Sequence, residues 1–120
     1  MKIPIATKEG EEISVEANKI EIPIYGQIVW LVVGQKEKIQ KFDSSLKVGA
    51  MLSNEATSEI IIWIEEFEIS VLVHELYHAV ESLTEYLLLG RVGVAEAQAY
   101  LMGYLVEEAL KKNNKKWLIK

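Results

Sequence analysis

The chain contains no cysteine, so a disulfide, a thiolate metal ligand and a cysteine nucleophile are all excluded. That absence is compatible with a reducing compartment. No run of about 18 apolar residues occurs, so no transmembrane span is predicted. The start, Met1-Lys2-Ile3-Pro4-Ile5, lacks the apolar block and small-residue cleavage site of a signal peptide. A cytoplasmic protein without a membrane partner is the expectation. Basic charge is also scarce: 13 Lys and Arg stand against 18 Asp and Glu, for a net charge of -5. A nucleic-acid partner needs a basic footprint, and this balance argues against one. The local exception, residues 111–116, reads as a solvated helix end whose lysines complement the helix dipole. Aspartate occurs once, as Asp43, and histidine twice, as His74 and His78.

What is present is an ordinary globular composition, with 50% apolar and 26% charged residues of both signs. A length of 120 residues suits one domain, 1–120, with a real core. Residues 2–7, 11–17 and 19–25 alternate apolar and polar side chains, with a turn at 8–10. Ile20, Ile22 and Ile24 share one face, and Pro23 on the other suggests an edge position. The continuous apolar run 28–33, closed by Gly34, predicts a strand buried on both faces. Residues 35–42 are too charged for a core strand and fit a short helix or a loop. The last strand expected is 57–64.

The second half changes period. Residues 66–89 form a helical pattern without proline or glycine, ending at Gly90. Its apolar positions wrap most of the way round, as in a helix covered on several sides. A short connection, 91–93, leads to a second helix over 94–112. The expected architecture is α+β: a small antiparallel or mixed N-terminal sheet followed by two long antiparallel helices.

Both histidines lie in the first of these helices, as His74-Glu75-Leu76-Tyr77-His78. Residues four apart share a helix face, so both imidazoles can address one ion. Two neutral imidazoles suit Zn2+, and Glu75 follows the first histidine, where its carboxylate can reach a water held by that ion. Zinc in a catalytic site normally takes a third protein ligand. With no further histidine, no cysteine and the single aspartate outside the helices, that ligand should be a glutamate. Glu81 and Glu85 share the histidines' helix, and Glu81, three positions past His78, falls far along the axis. Glu107 and Glu108 sit at the polar end of the last helix. Glu96 opens the second helix 18 positions after His78, amid small residues that permit close approach, and is the preferred third ligand.

With these residues the chain resembles a minimal zincin of the glutamate-ligand kind, the gluzincins. In that family a sheet precedes the H-E-x-x-H helix and a later helix supplies the third ligand. Residues 71–80 fit the family's extended helix pattern, and the spacing to Glu96 matches thermolysin-like enzymes. The match covers roughly 60–105. The resemblance implies a zincin-like metallopeptidase with Zn2+ as cofactor and a peptide or protein as substrate, its strand 57–64 pairing with extended substrate. Small stand-alone domains of this kind also occur in phages and prophages.

Many gluzincins carry a further histidine or tyrosine that stabilises the oxyanion. No histidine remains here, so a tyrosine or the metal must serve. Tyr86, Tyr100 and Tyr104 are available, although each also suits a packing role. Tyr100, one turn past Glu96, could instead orient a ligand. Trp30, Trp63 and Trp117 read as core or cap residues. The expected activity is zinc-dependent peptide hydrolysis with Glu75 as general base. The alternative is a non-catalytic metal-binding domain that recognises a partner protein. A deformylase-like hydrolase fits poorly, because that family's cysteine ligand is missing. Cleavage preference and oligomeric state leave no mark in the sequence.

Overall fold

A computed structural model describes residues 1–6, 10–23, 26–54, 59–85 and 94–113. Two short strands, β1 (Lys2–Ala6) and β2 (Glu12–Glu16), pair antiparallel as a sheet of their own, with Ile3 opposite Val15. Their alternation buries Ile3, Ile5 and Val15 and leaves the intervening residues outside. Four more strands follow: β3 (Asn18–Ile22), β4 (Gln27–Val33), β5 (Gly49–Asn54) and β6 (Glu59–Ile64). They form one mixed sheet in the order β3-β4-β6-β5. Only β4 and β6 run parallel. Parallel neighbours need a crossover, and here it contains the short helix α1 (Lys36–Phe42) and β5.

The two central strands are apolar on both faces, and each face has its own core. Val29, Leu31, Ile62 and Ile64 pack against two helices, α2 (Ile69–Thr84) and α3 (Val94–Asn113), through Leu72, Leu76, Ala79, Leu101 and Leu105. Trp30, Val32, Ile61 and Trp63 pack on the opposite side against Ile3, Ile5, Val15 and Ile39. The result is three layers: helices, mixed sheet, and the β1–β2 hairpin with α1. Both buried indoles are satisfied, Trp30 Nε1 donating to Glu59 Oε1 (2.6 Å) and Trp63 Nε1 to the Gly34 carbonyl (2.6 Å). Gln35, at φ 55°, turns β4 into α1, and its side chain both accepts from the Glu16 amide (2.8 Å) and donates to the Glu16 carbonyl (2.9 Å). That clamp joins the hairpin to the larger sheet.

The α+β architecture agrees with the sequence pattern, with three differences. β5 was not foreseen. Its residues, Gly-Ala-Met-Leu-Ser-Asn, lack the β-branched side chains that mark a strand. As a consequence β6 is not the edge strand expected for 57–64; it lies between β4 and β5, and β5 is the edge. Finally, α2 is not covered all round: Ser70, His74, Tyr77, His78, Glu81 and Glu85 form an exposed stripe along it. Residues 86–93, including the expected end of the first long helix, lie outside the described residues, as does Trp117. Gln98, near the start of α3, donates to Thr84 Oγ1 at the end of α2 (3.1 Å), as expected of an antiparallel helix pair. Among the described residues, no helix is long and apolar enough to cross a membrane.

Candidate metal centre

α2 brings His74, Glu75 and His78 together because a helix advances 100° per residue. His74 and His78 fall in the exposed stripe, whereas Glu75 falls with Leu72, Leu76 and Ala79 in the buried one. The two imidazoles lie with centroids 4.9 Å apart and planes at 81°. Their side chains are 67% and 47% exposed, against 11% for Glu75. One ligand atom from each of the three residues lies within 4.8 Å of the other two. Zinc, with bonds of about 2.0–2.1 Å to nitrogen or oxygen, spaces tetrahedral ligands roughly 3.4 Å apart. Exposed imidazoles cover the difference by turning about their χ angles.

Glu75 is the unusual member. Among the described residues its carboxylate receives no hydrogen bond, and its nearest polar partner is His74 Nε2 at 4.0 Å. A buried carboxylate that accepts no hydrogen bond is costly, so a cation or water would suit this place. The donor set therefore fits a divalent ion with nitrogen and oxygen ligands.

The carboxylate is buried by β5. A Cβ built on Gly49 would stand 2.8 Å from Val71 Cγ1 and 3.2 Å from Glu75 Cγ and Oε2, so α2 approaches β5 as closely as it does because residue 49 has no side chain. The Glu65 amide donates to the Val48 carbonyl at 2.9 Å. By the two-residue alternation of an antiparallel ladder, the N–H and C=O groups of Gly49, Met51 and Ser53 then point away from β6. No described strand pairs with that side. An open strand edge thus runs beside the helix that carries the histidines. Next to it lies a depression of about 550 Å³, lined among others by Met51, His78, Glu81, Thr84, Glu85 and Gln98.

Glu96 occupies the first turn of α3, exposed, and does not belong to the group formed by His74, Glu75 and His78. Tyr100 is 79% exposed. Tyr104 hydrogen-bonds the Glu21 carbonyl on β3, at the sheet edge opposite β5. Burial there, followed by the charges of Glu108 and Glu21, holds its hydroxyl pKa above the usual value. Tyr86 lies outside the described residues.

Glu81, set aside as a third ligand on its spacing, touches His78 instead, and two further residues, Tyr77 and Gly49, carry no mark in the sequence pattern. Glu81 Oε1 lies 3.2 Å from His78 Nδ1, a contact that its i+3 spacing could have signalled. Tyr77, 48% exposed, lies one turn after His74 on the same stripe. Gly49 had no local signal, because its role depends on a strand that the sequence pattern does not reveal. Comparison with protein-family models, with curated proteins and with solved structures returned no match.

Proposed function

We propose that the chain is a zinc-dependent peptide hydrolase of the zincin kind, acting on an extended peptide laid along β5. One observation carries the reading: a buried carboxylate, Glu75, which accepts no hydrogen bond among the described residues, beside two imidazoles and a strand edge that no described strand covers. His74 and His78 would hold the zinc, with Glu96 as the third ligand and a resemblance to the gluzincins as additional support. Zinc, when bound, supplies a more acidic water and polarises the scissile carbonyl. Glu75 takes the proton from the attacking water and passes it to the leaving amine. The outward N–H and C=O groups of Gly49, Met51 and Ser53 hold the substrate backbone in register, as in strand addition. The hydrophobic layer under Glu75 keeps bulk water from competing for its proton.

Glu75→Gln tests this reading. It keeps both imidazoles and should keep zinc, while peptide hydrolysis falls by about 10²- to 10⁴-fold, the usual contribution of a general base. Undiminished hydrolysis would remove Glu75 from the chemistry. Changing Glu96 to Ala should weaken zinc binding, and unchanged affinity would move the third ligand elsewhere. A second reading, a metal-binding domain that captures a peptide without cleaving it, is favoured by the absence of Glu96 from the ligand group. It predicts zinc uptake and peptide binding with no cleavage in the wild type.

A further inference from the structure

Glu81 stands one turn past His78 on the exposed stripe of α2, its Oε1 3.2 Å from His78 Nδ1. An ionised carboxylate only accepts hydrogen bonds, so in a neutral His78 the proton between them sits on Nδ1 and the lone pair on Nε2. His74 differs. Its one carboxylate neighbour among the described residues is Glu75, 4.0 Å from Nε2, and nothing described holds its Nδ1.

We propose that Glu81 is a positioning residue: it presets His78 in the Nδ1–H tautomer, with Nε2 open to a metal, and is not itself a metal ligand. The inference rests on the metal-site reading above and deepens it. A carboxylate bonded to Nδ1 lies across the imidazole ring from an ion on Nε2, so one group cannot fill both places. The contact fixes the ring's tautomer and orientation and makes Nε2 a stronger donor, the usual effect of a carboxylate behind a ligating histidine. Glu85, the other carboxylate at the depression, makes no described contact with the ring. The two histidines are therefore unequal, with His78 prepared in advance and His74 ordered only when the ion arrives.

Two measurements test this on the whole chain. In metal-free protein labelled with 15N at pH 8, two-bond 1H–15N correlations should show His78 as Nδ1–H and His74 as the more common Nε2–H form. Glu81→Ala, an exposed change to the best helix former, should return His78 to Nε2–H and lower zinc affinity by about 10- to 100-fold. Glu81→Gln, whose amide oxygen can accept the same proton, should keep the tautomer and most of the affinity. The proposal is overturned if wild-type His78 is Nε2–H, or if Glu81→Ala leaves tautomer and affinity unchanged. It is overturned equally if the Gln variant loses zinc as fully as the Ala variant, since Glu81 would then be a ligand. The predicted tautomers without any zinc uptake would instead strike down the metal-site reading, and with it the role given to Glu81.

Discussion

The two edges of the mixed sheet are defended differently. β3 carries Lys19 and Glu21, joined by an ion pair of 3.2 Å, and Tyr104 reaches across from α3 to the Glu21 carbonyl. β5 has no charged residue and no proline, and no described strand pairs with its three outward sets of backbone groups. Charges and covering side chains are the ordinary protection of an edge against unwanted pairing. Among the described residues β5 shows neither, and it lies beside the one group of metal-ligand side chains found there. The contrast gives the candidate site a backbone component as well as a side-chain one.

Breaking the contrast is simplest with proline. Ala50→Pro removes an N–H that points into the β5–β6 ladder and should cost about 3 kcal/mol or more. Met51→Pro removes an outward N–H and part of a half-buried side chain, so it should lower the urea midpoint less than Ala50→Pro while abolishing peptide binding at β5. Equal destabilisation by the two would refute the assigned alternation. Gly49→Ala comes next, at about 1–3 kcal/mol, because the added methyl meets Val71 and Glu75. Adding Val71→Ala should recover part of that loss, and no recovery would mean the strain lies elsewhere.

At the defended edge the effects are smaller. Tyr104→Phe removes one hydrogen bond, worth about 1 kcal/mol. It should also change the alkaline limb of stability. The Tyr104 hydroxyl has its pKa raised in the fold, by burial first and then by Glu108 and Glu21. The folded state therefore holds that proton more tightly than the unfolded chain. Its contribution is complete below the ordinary tyrosine pKa of about 10 and is lost as pH rises through the folded value. Urea midpoints at pH 8 and pH 11 should differ less in the Phe variant than in the wild type, and identical differences would contradict the assignment. Ser53→Lys should change stability least, by about 0.5 kcal/mol or less, while putting a guarding charge on β5 and weakening peptide binding there.

Much of the helical half was legible because its signals are local. The motif lies in α2, and the apolar spacing that buries Leu72, Leu76, Leu101 and Leu105 is written in each helix's own sequence. β4 was equally plain, since a strand buried on both faces must be apolar throughout. β5 was not legible. Its residues have weak strand preference, and it is a strand because β6 offers it a ladder. That single omission concealed the sheet's true edge, the need for glycine at 49 and the burial of Glu75. The Glu81–His78 contact was hidden for a different reason: spacing made it possible, but side-chain rotamers decide whether it forms.

The most direct test of the account is the zinc content of the purified protein after equilibration with the metal and dialysis. The account predicts about one zinc per chain in the wild type and in Glu75→Gln, and loss of zinc in His74→Ala and His78→Ala. A folded wild-type protein that retains no zinc would contradict it.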